Sequence, residues 1–206
     1  MGLISLLVSD APVFFLIAIP LLFSIVLHEY AHGYVAVRLG DRTPLYARRL
    51  SLNPKHHLDP IGTVCLLVFG FGWARPVPVN FLRMKDPRKG LIYVSSAGIV
   101  ANLILALLCL LAMRLLPSDQ EVISKALYYT AQVNVILASF NLIPIPPLDG
   151  SKILMGLSRT AYQSLSRLEP YGMYVILALL VVGALDPLVA LFRLFLIKLA
   201  SLLIPL

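Results

Sequence analysis

Residues 21–37 read LLFSIVLHEYAHGYVAV, a run apolar enough to lie within a bilayer except at His28, Glu29 and His32. An ionisable side chain at the centre of a membrane-length segment costs roughly 3 kcal/mol on insertion scales. Three within five positions therefore imply a partner that compensates for them, and finding that partner decides the reading of the chain.

Composition sets the class around this stretch. The chain has 206 residues, of which 59% are hydrophobic and 13% charged, with a mean hydropathy of +0.89. That balance lies outside the soluble range and predicts an all-α polytopic membrane protein. About five to six membrane helices are expected, with short β or re-entrant segments between the first ones, in a single membrane-embedded core over residues 1–206. MGLISLLVSD at the start lacks the basic n-region of a signal peptide, so the first apolar segment is expected to be retained. Cys65 and Cys109 lie far apart in apolar stretches, which excludes a disulfide framework or a paired-cysteine metal site. The net charge of +7 is not laid out as a basic stripe interleaved with aromatics, and no nucleic-acid partner is expected.

Residues 11–37 are long enough for a first crossing. Residues 38–60 turn polar, and LYARRLSLNP has short β-like stretches; residues 61–73 suit a short or re-entrant helix weakened at Gly70 and Gly72. The prolines of ARPVPVNFLRMKDPRKG predict an extended or looped segment. Two long apolar helices follow over 91–113 and 122–142, and the short turn between them makes them antiparallel neighbours. Residues 150–168 are amphipathic, and one or two further spans divide near Asp186 and Pro187. Segments 38–60 and 74–90 hold five basic residues each, whereas 114–121 holds Arg114 beside two acids. By the positive-inside rule both basic loops face the cytoplasm, and HEYAH lies in the cytoplasmic half of its helix.

His28 and His32 are four residues apart, so both imidazoles leave one helix face and can share a metal. Glu29 points about 100° round, where it can hold a water without being a ligand. This is the HExxH pattern of zinc hydrolases, in which the glutamate is the general base. A catalytic zinc needs a third protein ligand. Asp149 in NLIPIPPLDG is the strongest candidate, because Pro144, Pro146 and Pro147 break the helix and irregular backbone at membrane depth is tolerated where it lines a site. The competing role for Asp149 is an N-cap of the helix that follows. His56 and His57 are rival ligands, read otherwise as a solvated or structural pair; Glu169 and Asp186 read as helix ends.

At these residues the chain resembles the site-2 proteases, the intramembrane zinc metalloproteases. HEYAH (28–32) and NLIPIPPLDG (141–150) match the two metal motifs in order, and LSLNPKHHLDPIGT (50–63), GWARPVPVN (72–80) and SAGIVANLILA (96–106) are similar to small members without a PDZ domain. The resemblance implies one Zn²⁺ per chain on His28, His32 and Asp149, with Glu29 as general base. It also implies Asn102 and Asn141 close to the site, as substrate-binding groups or as supports for the ligands. Ile99 departs from the pattern, since such members often carry proline there. The implied activity is hydrolysis of a peptide bond in the transmembrane segment of another protein, in a bilayer, by a multi-pass enzyme of a prokaryotic cell membrane whose site faces the cytoplasmic side. The alternative is a non-hydrolytic membrane metal-binding protein or transporter, or an inactive member that binds helices.

Overall fold

A computed structural model describes residues 3–117 and 119–203. Helix α1 (Leu3–Ser9) leads into α2 (Ala11–Arg38), where Asp10 accepts from the Val13 N–H and Pro12 occupies the first turn. Such a start satisfies an N–H that the first helical turn leaves open. A four-residue helix α3 (Thr43–Tyr46) and a 3-10 turn (Pro54–His56) precede α4 (Pro60–Phe69). Asp59 caps α4, and Gly70, at φ +76°, ends it in the left-handed conformation that glycine adopts without strain. After a second 3-10 turn (Phe81–Arg83), Asp86 caps α5 (Pro87–Leu115) by accepting from the N–H groups of Arg88 and Lys89.

Helix α6 (Glu121–Asn141) returns alongside α5, and α7 (Asp149–Leu157) and α8 (Arg159–Leu168) follow the proline-rich turn. Helices α9 (Gly172–Val181) and α10 (Leu185–Leu203) close the chain; the break between them holds Gly183, at φ +72°, and the axes bend by 92°. The division therefore comes before Asp186 and Pro187, which sit in the first turn of α10.

Helices α2, α5 and α6 pack on one another, and α7 lies against α5. Their contact surfaces are built from small residues: Ala36, Ala106, Ala131 and Ala138 are buried, as is Gly98. Small side chains let backbones approach closely where lipid removes the hydrophobic drive between helices. On the outer faces Phe15, Ile19 and Phe23 of α2 and Val100, Ile104 and Leu108 of α5 stay exposed. Apolar surface of that extent suits hydrocarbon rather than water.

Two expectations are not matched. Among the described residues α2 and α5 have the length and apolar composition of a membrane span, with a third if the bent stretch Arg159–Leu194 counts as one, so the expected five to six are not confirmed. Helix α4 is short, and α6 is diluted by Lys125, Gln132, Asn134 and Asn141. Between α2 and α5 no strand forms among the described residues. Leu58 and Ala74 make an isolated antiparallel bridge, and the rest is capped turns and extended chain. The prolines at 44, 54, 60, 76 and 78 remove the N–H groups that a ladder requires.

Candidate metal centre

His28 sits ten residues before Arg38, about 15 Å along α2 from that end. The His28 and His32 side chains are buried against α5, where Gly98 leaves room for them: a Cβ there would lie 2.5 Å from His28 Cε1 and 2.6 Å from the Nε2 of both rings. Asp149 arrives from α7, which packs on α5 as α2 does. It is the first residue of α7 rather than its cap; Leu148 holds the cap position, with no side-chain bond. Of the two roles open to Asp149, the capping role is thus not taken, and its carboxylate is free to point at the histidines.

Three donor atoms converge. His28 Nε2 and His32 Nε2 are 3.0 Å apart, and each is 3.1 Å from Asp149 Oδ2. The far side of each ring fixes the tautomer. His28 Nδ1 donates to Asn102 Oδ1 at 2.7 Å, and His32 Nδ1 donates to the Val94 carbonyl at 2.7 Å. Both partners are acceptors, so the protons of the neutral imidazoles lie on Nδ1 and the Nε2 lone pairs face inward.

Two lone pairs and a carboxylate oxygen therefore face one point with no proton between them, an arrangement that a cation relieves. Zinc bonds of 2.0–2.1 Å at tetrahedral angles place donors about 3.3 Å apart, close to the triangle seen. The donor atoms of His28, Glu29 and His32 form a looser set, within 4.8 Å of one another. The His28–His32–Asp149 triangle is the better fit because it is tighter, and because Glu29 Oε2 already accepts from the Val77 N–H at 2.8 Å.

The support continues outward. Asn102 Nδ2 donates to Asn134 Oδ1 at 3.0 Å, and Asn134 Nδ2 donates to Ser24 Oγ and to the Thr130 carbonyl, each at 2.8 Å. Asn102 and Asn134 are fully buried, so this relay from α5 through α6 to α2 orients His28 by satisfied bonds alone. Asn134 carries no motif, and only its partners reveal its place. The Val94 carbonyl is invisible to side-chain reasoning, and Gly98 matters for the atom it lacks.

Among the described residues no hydrogen bond joins the remaining candidates to the triangle. Asn141 donates to the Leu137 carbonyl one turn back in its own helix, at 3.0 Å. His57 is fully buried with Nε2 at 2.7 Å from the Ser51 carbonyl, while His56 is exposed in its 3-10 turn; neither joins the cluster. Glu169 lies in a 3-10 turn, and Asp186 lines a cavity of about 1050 Å³ between α1, α2, α4, α6 and α10.

A buried His–His–Asp triangle beside a glutamate, carried on apolar helices, defines a metalloprotease-like membrane centre, and comparison with known proteins agrees. The profile of Peptidase family M50 matches residues 116–183. The chain is 43% identical over 174 residues to YwhC of Bacillus subtilis, named as a candidate zinc metalloprotease, with 80% of each chain covered. It is 30% identical over 186 residues to Rip2 of Mycolicibacterium smegmatis, named likewise, covering 86% of this chain and 71% of that one. It is 28% identical over 162 residues to the zinc metalloprotease MJ0392 of Methanocaldococcus jannaschii, covering 78% of this chain and 40% of that protein. No solved structure matches. The chain belongs to peptidase family M50, consistent with the resemblance to site-2 proteases, and is a metalloprotease carried on membrane-type helices.

Proposed function

We propose that the protein is an intramembrane zinc endopeptidase that hydrolyses a peptide bond within the transmembrane segment of another membrane protein, close to the cytoplasmic face. The observation that carries this reading is the set of three inward lone-pair donors on apolar helices, with the Glu29 carboxylate beside them.

In this reading His28, His32 and Asp149 hold the ion, while Asn102 and the Val94 carbonyl keep the two imidazoles turned towards it. Zinc, when bound, lowers the pKa of a water towards neutrality and polarises the scissile carbonyl. Glu29 accepts the proton of the attacking water on Oε1, since Oε2 is held by Val77, and delivers it to the amine nitrogen as that group leaves. A helical substrate must first unwind, because its peptide bonds are closed in i to i−4 pairs. The extended stretch 74–80 brings the Val77 N–H to Glu29. The basic loops 38–60 and 74–90 put the entrance for water on the cytoplasmic side of a cell membrane.

The test uses protein purified in detergent, with metal measured by elemental analysis. The substrate is a single-span reporter whose spanning segment carries a central Asn-Gly. About one zinc per chain is expected in the wild type and in Glu29→Gln, and loss of it in His28→Ala and Asp149→Ala. Cleavage inside the span is expected from the wild type alone. A zinc-loaded Glu29→Gln variant that still cleaves, or cleavage confined to the soluble flanks, refutes the proposal.

A further inference from the structure

Arg49 is 9% exposed, and its Nε is buried without a hydrogen-bond partner. A guanidinium taken out of water is usually matched by a carboxylate, yet no ion pair to Arg49 forms among the described residues. Its strongest neighbours are the charge of Arg75, which opposes its own, and that of Glu29, which favours it. The backbone is also strained to bring it there: Arg48 stands at φ +53°, a region that residues other than glycine rarely occupy. Strain and an unmatched buried charge together mark a position kept for something other than stability.

The hydrogen bonds show what it holds. Arg49 Nη2 donates to the Arg75 carbonyl, and the Arg75 N–H donates to the His57 carbonyl at 2.8 Å. Pro76 has no N–H, so the next main-chain donor along the segment is that of Val77, which holds Glu29 Oε2. Pro76 has its φ fixed by its ring and biases Arg75 to extended backbone, so the Arg75 carbonyl and the Val77 N–H are joined through a single restricted residue. Arg49 and Glu29 therefore grip neighbouring main-chain groups on either side of Pro76. A Cβ added to Gly33, next to His32, would lie 3.3 Å from both Leu50 and Val77, so the two loops bear on α2 at one spot directly after HEYAH.

We infer that Arg49 is a positioning residue for hydrolysis: it fixes the Arg75 carbonyl, and through the rigid Arg75–Pro76–Val77 step it sets where the Val77 N–H holds the Glu29 carboxylate. The inference rests on the reading of Glu29 as the general base. It requires Arg49 to act on the rate of the chemical step, with no contact to the metal and none to substrate.

The experiment measures kcat and KM on the single-span reporter, with zinc content and melting temperature, for Arg49→Met, Arg49→Lys, Val77→Ala, Val77→Pro and the double variant Arg49→Met with Val77→Pro. Val77→Pro deletes the N–H between two residues that are already proline, and Val77→Ala controls for the lost methyl groups. Displacing a catalytic group by about 1 Å costs on the order of a hundredfold. Arg49→Met and Val77→Pro are each expected to lower kcat about 10- to 100-fold, with KM and zinc within about twofold of wild type. Arg49→Lys, which keeps a donor and the charge, is expected to recover most of the rate, and Val77→Ala, which keeps the N–H, to lose clearly less than Val77→Pro. The double variant is expected to be no slower than the worse single one, because both act through one contact.

Multiplied losses in the double variant, an effect confined to KM, or a wild-type kcat in Arg49→Met overturns the inference. If Arg49→Met does not fold, Arg49→Gln takes its place alone and with Val77→Pro: a lowered kcat alone and no further loss in the double variant supports the coupling, and a wild-type kcat alone or multiplied losses overturns it. An active, zinc-loaded Glu29→Gln would instead bring down the underlying reading of the base, so the two failures are told apart.

Discussion

Replacing Gly98 by alanine tests the metal centre through an atom the chain lacks. The new Cβ would stand 2.5 Å from His28 Cε1 and 2.6 Å from the Nε2 of both His28 and His32, whereas ordinary contact begins at 3.4 Å. The new atom thus overlaps both rings by about 0.8–0.9 Å. Turning one imidazole does not relieve it, because both rings are struck. Each ring is also tethered at Nδ1 by a 2.7 Å hydrogen bond, to Asn102 and to the Val94 carbonyl. Helix α5 must back away from α2, or one tether must break.

Overpacking of this kind costs about 1–3 kcal/mol, and a displaced ligand or supporting bond lowers metal affinity about 10- to 100-fold. The assay is competition for zinc against a graded series of chelators, with thermal unfolding of the same samples in parallel. Zinc affinity within twofold of wild type in a well-folded Gly98→Ala protein would refute the placement of this glycine against the two ligands. Gly98→Ser, with a bulkier side chain, is expected to be at least as impaired.

The remaining expectations are narrower. Asn102→Leu leaves His28 Nδ1 and Asn134 Oδ1 buried without partners, so a loss of about 1–3 kcal/mol in stability and a 10- to 100-fold fall in zinc affinity are expected, read by unfolding and chelator competition. Gly150→Ala would press a Cβ into the Leu142 and Ile143 carbonyls and shift Asp149; reduced zinc content with the helical circular-dichroism signal retained is the expected result. Asp41, in the turn after α2, gives a pH signature. Burial raises its carboxyl, but bonds from the Thr43 hydroxyl and from the N–H groups of Asn80 and Thr43, with the Arg83 charge, outweigh burial and hold it below the usual carboxylate range. A depressed folded-state value stabilises above the unfolded value of about 4, and that stability is lost as pH falls through the depressed value. Wild type is therefore expected to melt above Asp41→Asn at neutral pH, and the gap to close on acidification below pH about 4; a gap independent of pH would contradict this role.

How much was legible differs from residue to residue. HEYAH was readable because the four-residue helical period by itself puts two imidazoles on one face. Asp149 was readable because three prolines and a glycine announce broken backbone next to a carboxylate, and the structure has only to leave the cap position to Leu148. The reading of 11–37 came within a residue of α2, whereas α5 was read from 91 and begins at Pro87, because Asp86 caps a polar first turn, Pro87–Gly90, that carries no apolar signal. The segments between them misled. LYARRLSLNP alternates as a strand does, but strand formation needs a neighbour with free donors, and the prolines on both sides of the loop pair remove them.

By itself, then, the sequence determined the class of chain, the long helices, the three residues that converge and the glutamate beside them, because these depend on composition and on patterns along one element. Only the tertiary structure decided which rotational face of α5 and α6 meets α2. On that depend the Asn102–Asn134 relay, the Val94 carbonyl on His32, the space left by Gly98 and the grip of Arg49 and Glu29 on either side of Pro76. Each is a contact between residues distant in the chain, made through a main-chain atom, a missing side chain or an unremarkable asparagine, and no local pattern encodes it.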